Sequence, residues 1–273
     1  MRLGGFFDEK FQNPEEWITI LQTYGYKAAY CPFRPAPGSS MPSDSVIAEY
    51  RRAAEQADIV IAEVGAWGRN YLADNETERK LAIEETSALL DMSEKFNARC
   101  VVNSAGWCSN PADNFTEYTF EYIVEMVRKI IDPVKPKNTF FTLELVPAVY
   151  PNSIQSYLDL IKAVDRKEFG VHLDPVNIID NPFKYYRNKE FLKECFKKLG
   201  NRIKSCHAKD VILEKGMVVH LSEIRPGLGI LDYQTFIEEA NKVDMEMPIM
   251  LEHLETNEEY RLAAEYVRSC ANK

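Results

Sequence analysis

Eight short apolar runs alternate with longer amphipathic stretches along this 273-residue chain. The runs fall at residues 3–7, 28–32, 59–64, 100–103, 139–145, 170–173, 203–207 and 249–252. Most lack polar alternation, which suits strands of a parallel sheet covered on both faces. The stretches between them carry helix signals. Asn13 is placed to cap a helix that has Pro14 in its first turn, Glu16 three residues on and Gly25 at its end. That helix is predicted to bury Trp17, Ile18, Leu21 and Tyr24. Further helices are expected over 45–56, 76–95, 115–131, 153–164, 189–199, 233–242 and 257–269, the last behind a Thr256/Glu259 capping box. Gly200 reads as the stop of the sixth.

Eight strands, each followed by a helix, close into a (β/α)8 TIM barrel, and a single barrel commonly needs about 250 residues. The whole chain, 1–273, is therefore expected to form one α/β domain. An open doubly wound sheet would call for a glycine-rich first turn, and the segment FFDEKFQNP after the first run has none. The Pro/Ser-rich stretch 32–45 is expected to be a long loop. Residues 211–231 read as an inserted hairpin, with VIL, a turn at Glu214-Lys215-Gly216, then MVVHL.

Lys plus Arg total 33 and Asp plus Glu total 42, for a net charge of −9. That balance disfavours a broad nucleic-acid surface, which needs a positive field. The six cysteines are scattered and form no C-x-x-C pair, as in free thiols of a reducing compartment. The N-terminus reaches charge too quickly for a signal peptide, and no run approaches the ~18 apolar residues of a membrane span. A cytoplasmic protein without membrane attachment is expected.

In a TIM barrel, chemistry sits at the C-terminal ends of the strands. The last four strands each end in a metal-capable side chain: Glu144, Asp174, His207 and Glu252. Burying three carboxylates together is costly unless a cation neutralises them. Three oxygen donors and one imidazole suit Mn2+, Mg2+, Co2+ or Zn2+, with positions left for substrate. Taken singly, each residue has a blander reading, as a barrel-end ion pair, a turn former or a core histidine; their coincidence on four consecutive strands favours one divalent metal site.

Several neighbours are candidates for contacting substrate. His172 lies two residues before Asp174 and shares its face, either orienting a ligand or filling the barrel. Lys209 is related to His207 in the same way, and would pair with a substrate oxygen or with a carboxylate. Arg225 begins Arg-Pro-Gly-Leu-Gly, whose glycines permit close backbone approach. Glu63 and Asn103 end earlier strands, and Trp67 and Trp107 follow them, placed to wall a sugar-sized pocket or to cap the core. His253 is expected to point away from Glu252.

The segments Thr142-Leu143-Glu144, Val171-His172-Leu173-Asp174-Pro175-Val176-Asn177, His207-Ala208-Lys209-Asp210, Arg225-Pro226-Gly227-Leu228-Gly229 and Leu251-Glu252 resemble the xylose isomerase-like TIM barrels of the sugar phosphate isomerase/epimerase group, which includes the ketose 3-epimerases. The resemblance implies that Glu144, Asp174, His207 and Glu252 ligate the metal, often Mn2+. It also implies that Glu144 and Glu252 move a proton through an enediolate, one removing it and the other returning it on the opposite face. Those epimerases commonly carry a histidine where this chain has Asn177, so substrate contacts there differ. The group includes three-zinc DNA-repair endonucleases, which need histidines on several strand ends; this chain has four histidines in all. The expected function is a metal-dependent isomerase or epimerase of a small sugar or sugar derivative. The alternatives are a keto-inositol-type dehydratase or a sugar-binding barrel without turnover. The expected partner is a small carbohydrate rather than nucleic acid, and a homo-oligomer is possible.

Overall fold

A computed structural model of the chain describes residues 1–271. Its elements run β1 (Arg2–Gly5), α1 (Pro14–Thr23), β2 (Ala28–Tyr30), α2 (Asp44–Gln56), β3 (Val60–Gly65), α3 (Glu76–Phe96), β4 (Cys100–Asn103), α4 (Glu117–Val134), β5 (Phe140–Glu144), α5 (Ile154–Val164), β6 (Phe169–Leu173), α6 (Pro182–Tyr186), α7 (Asn188–Leu199), β7 (Ile203–Ala208), β8 (Asp210–Leu213), β9 (Leu221–Ile224), α8 (Tyr233–Val243), β10 (Pro248–Leu251) and α9 (Asn257–Ala271). Eight strands pair in the order β1-β10-β7-β6-β5-β4-β3-β2, all parallel. The ring nearly closes between β1 and β2, where the Lys27 amide donates to the Leu3 carbonyl at 2.8 Å. Gly4 makes that approach possible: a Cβ there would lie 2.4 Å from the Ala28 carbonyl oxygen and 2.6 Å from the Met250 sulfur.

Local chemistry explains the helix starts. The Glu16 amide donates to the Asn13 side chain at 2.9 Å, Ser153 and Ser156 form a reciprocal cap at α5, and the Glu259 amide donates to Thr256 at 3.2 Å. In α1, Trp17 and Leu21 are buried and Ile18 is half-buried, as is Tyr24, which caps its C-terminal end. Strands β4, β6 and β10 are buried along their whole length, as a sheet covered on both faces requires. The hairpin after β7 forms, but its second strand is β9, not the apolar run MVVHL. Met217, Val218 and Val219 are exposed in the connecting turn. They meet no apolar face there, whereas pairing Asp210 with Ile224 brings Glu223 back over the barrel mouth. The short α6 carries no sequence signal beyond Asn181-Pro182, which caps it.

Candidate metal centre and cavity

Each of the four metal-capable residues sits at or just beyond the C-terminal end of a barrel strand. Glu144 closes β5, Asp174 follows β6, His207 is next to last in β7 and Glu252 follows β10. These strands are neighbours in the ring, so their ends converge. One donor atom from each lies within 4.8 Å of the others. His207 Nδ1 is 2.9 Å from Glu252 Oε1, 3.2 Å from Glu144 Oε1 and 3.9 Å from Asp174 Oδ2.

These donors fit a divalent ion. Two ligands about 2.1 Å from one cation and at right angles to each other lie ~3 Å apart, and opposed ligands ~4.2 Å apart. Asp174 Oδ2 and Glu252 Oε1 are buried and accept no aligned hydrogen bond. Lys209 Nζ is at ion-pair distance from both, 2.8 and 3.0 Å, but outside hydrogen-bonding alignment. A buried carboxylate oxygen without a donor is costly, and a bound cation removes that cost. Burial raises the Asp174 carboxyl to about 6; Lys209 opposes this, while Glu252 and Glu144 add to it. Burial also works against charge on Glu252, but His207 and Lys209 outweigh it and hold the carboxyl well below its usual range.

A second buried layer lies beneath. Glu63, 1% exposed, accepts from His172 Nε2 at 3.0 Å and from the Ser205 hydroxyl, and lies 3.1 Å from His207 Nε2. His207 thus spans the two layers, Nε2 down to Glu63 and Nδ1 up to the metal-capable carboxylates. A carboxylate behind a ligating imidazole fixes its tautomer and raises its basicity. Burial alone would discharge His207, but Glu252, Glu63 and Glu144 hold its pKa well above the usual histidine value. Burial likewise opposes charge on Glu63, and the two histidines override it.

The sequence-derived candidates divide by depth. Glu63, expected near substrate, lies under His207, and His172 lies there with it. Asn177 bridges the layer above: its Nδ2 donates to Glu144 Oε1 at 3.1 Å, and its Oδ1 accepts from Lys209 at 2.9 Å. Lys209 is buried among Asp174, Glu252 and Glu223, the last at 3.1 Å. Arg225 donates to the Pro226 carbonyl, and Trp107 is exposed; neither lines the cavity above the metal-capable group. Asn103 is buried and donates to the Arg69 carbonyl.

That cavity measures about 420 Å3 and is lined by Glu144, His207, Glu252, Trp67, His253, Phe6, Tyr30, Arg34 and Tyr260. His253 turns toward the site, not away from it. Its Nε2 is 3.5 Å from Glu252 and its Nδ1 3.1 Å from Glu223, because a positive φ of 55° at His253 bends the chain after β10. Phe6, Tyr30, Arg34, Glu223 and Tyr260 are cavity or mouth residues that the sequence did not single out. An aromatic immediately beyond β1, as Phe6 is, was the available signal for one of them.

A model of the xylose isomerase-like TIM barrel family matches residues 18–270. The chain belongs to that family. No curated protein sequence matches this family member at a significant level, but solved structures do. A D-psicose 3-epimerase from Clostridium cellulolyticum, solved with D-tagatose, is 17% identical over 99% of each chain, with a TM-score of 0.69. A xylose isomerase-like TIM barrel protein from Mycobacterium smegmatis, in complex with magnesium, is 15% identical over 95% of this chain and 88% of that one, with a TM-score of 0.67. Endonuclease IV from Thermus thermophilus is 13% identical over 100% of this chain and 99% of that one, with a TM-score of 0.77. At these identities the likeness is one of fold.

Proposed function

We propose that this xylose isomerase-like barrel is a divalent-metal-dependent isomerase or epimerase of a small sugar or sugar derivative. The observation that carries the reading is the disposition of Glu144 and Glu252. Both line one cavity, with a carboxylate oxygen 3.2 and 2.9 Å from His207 Nδ1 respectively. Two carboxylates on opposite sides of one substrate carbon are what proton removal and return require. Glu144, Asp174, His207 and Glu252 would hold the ion, with Mn2+ the first choice among Mn2+, Mg2+, Co2+ and Zn2+. When bound, the ion polarises a carbonyl and acidifies the neighbouring C–H. Glu252 and Glu144 then exchange the proton between carbon and carboxylate. Lys209 keeps Glu252 ionised for that task, and Asn177 orients Glu144. Trp67 and Tyr260 offer aromatic faces to sugar C–H groups and exclude water.

A small substrate is favoured over DNA by the size of the cavity and by the net charge of −9, which opposes approach to a polyanion. The test is turnover of ketoses in D2O with Mn2+. One deuterium incorporated at the isomerised carbon is expected. Product formed without deuterium would rule out exchange through the two glutamates, and a loss of water would redirect the assignment to a dehydratase.

A further inference from the structure

Arg34 stands apart from the other charged groups of the cavity. Glu144, Glu252 and His207 answer one another, and His253 pairs with Glu223. Among the described residues, Arg34 has no carboxylate within ion-pair distance. Its guanidinium lies instead over the rings of Tyr30 and Phe6, at 5.4 and 5.6 Å from their centroids. Stacking of this kind holds the planar group by its face and leaves its N–H edge free. Phe6, Tyr30 and Arg34 also line an adjoining cavity of about 520 Å3. Asp8 and Glu9 line that second space as well, without reaching the guanidinium at ion-pair distance. The Glu9 carboxylate accepts from the Tyr24 hydroxyl at 2.8 Å.

The segment that carries Arg34 is built to hold still. It reads Cys31-Pro32-Phe33-Arg34-Pro35, and proline on both sides restricts the backbone before any ligand arrives. The Cys31 amide is tied to the Glu63 carbonyl at 2.8 Å, and the buried Arg69 donates to the Pro35 carbonyl at 3.1 Å. Phe33 packs edge-on against Tyr50, with centroids 5.0 Å apart. The Arg34 side chain is exposed, rests against two rings and has an anchored backbone, and its fork matches a carboxylate or phosphate.

We propose that Arg34 is an anion subsite of this cavity, and that the substrate is a sugar derivative bearing a carboxylate or phosphate away from the oxygens held by the metal. This rests on the sugar isomerase or epimerase reading above. The net negative charge of the chain makes the assignment sharper, since an anionic substrate needs a local cation to enter.

The test is calorimetric binding to the Mn2+-loaded protein, independent of turnover. The ligands are D-fructose, D-tagatose and D-psicose, their 6-phosphates, and the uronates D-fructuronate and D-tagaturonate. At least one anionic sugar is expected to bind about tenfold or more tightly than its neutral parent, the gain of one charge-assisted pair. In R34Q that ratio falls toward one, and in R34K part of it returns. Preference for the phosphates or for the uronates identifies which anion is taken. A panel in which no anion outbinds its parent, or a preference that survives R34Q, overturns the proposal. Deuterium exchange on a neutral ketose reports separately on the proton-transfer reading.

Discussion

Glu63 Oε2 lies 3.1 Å from His207 Nε2, from below, while the other nitrogen of the same ring faces Glu144 and Glu252. The two residues are 144 positions apart in the chain, and both are almost completely buried. With Nε2 committed to Glu63, Nδ1 is left to face the carboxylates and the cavity. Replacing Glu63 by glutamine keeps the shape but removes the charge. Metal affinity is expected to fall about 10–100-fold, with little change in circular dichroism. Mn2+ titration of E63Q by calorimetry checks this; affinity within a factor of two of the parent would remove Glu63 from the metal's support.

Glu144 and Glu252 should fail differently from Asp174. At saturating Mn2+, E144Q and E252Q are each expected to lose about 10^2–10^4-fold in turnover, the usual worth of one positioned acid–base group. Asp174→Asn should be corrected largely by more metal. A plot of rate against Mn2+ concentration separates the cases. Recovery of E144Q and E252Q by metal alone would make them ligands without a proton-transfer role.

Metal binding should weaken in acid. Without metal, Glu252, Glu63 and Glu144 keep the His207 pKa well above its usual value, and burial raises Asp174 to about 6. A ligand must be deprotonated to coordinate. Both groups therefore compete with protons as the pH falls, His207 at a higher pH than Asp174, whose carboxyl is raised to about 6. Apparent Mn2+ affinity is expected to rise between pH 5.5 and 8, by roughly tenfold per pH unit for each proton released. Titrations in buffers of different ionisation enthalpy would count those protons; none released would contradict the protonated state of His207.

Lys209 compensates three carboxylates, Asp174, Glu252 and Glu223, at 2.8, 3.0 and 3.1 Å. Lys209→Met should destabilise the metal-free protein by roughly 3 kcal/mol, since it leaves buried charge unpaired. Added Mn2+ should restore much of that loss by binding only the folded state. Thermal melts with and without Mn2+ give the answer. Equal losses in both conditions would mean that metal and lysine do not share those carboxylates.

Gly4 is a packing requirement rather than a functional one. In Gly4→Ala the added methyl meets the Ala28 carbonyl at 2.4 Å, backbone that cannot move aside cheaply. A loss of about 1–3 kcal/mol is expected in urea unfolding, as for other overpacked sites. Unchanged stability would show that β1 and β2 can separate without cost.

Much of the barrel was legible because strand side chains repeat every two residues. That period places Asp174 above His172 and Lys209 above His207 whatever the rest of the chain does. It also explains why strand ends alone brought Glu144, Asp174, His207 and Glu252 forward as candidates. The period cannot give height in the barrel or the path of a loop. Glu63 reads as a strand end in the sequence, as Asn103 does, but β3 runs on to Gly65 and leaves Glu63 inside the strand, beneath His207. The apolar tip Met217–Val219 looked like a strand because composition records hydrophobicity and not whether a face exists to receive it.

By itself the sequence determined the alternation of strand and helix, the caps, and which side chains share a strand face, since all of these depend on neighbours within a few positions. Only the tertiary structure decided that His207 stands between Glu63 and the carboxylate group, that Glu223 returns over Lys209, and that Arg34 meets Phe6 and Tyr30 at the mouth. Most of those are encounters between residues far apart in the chain. They depend on the closure of the ring and the path of each loop, which no local pattern of residues encodes.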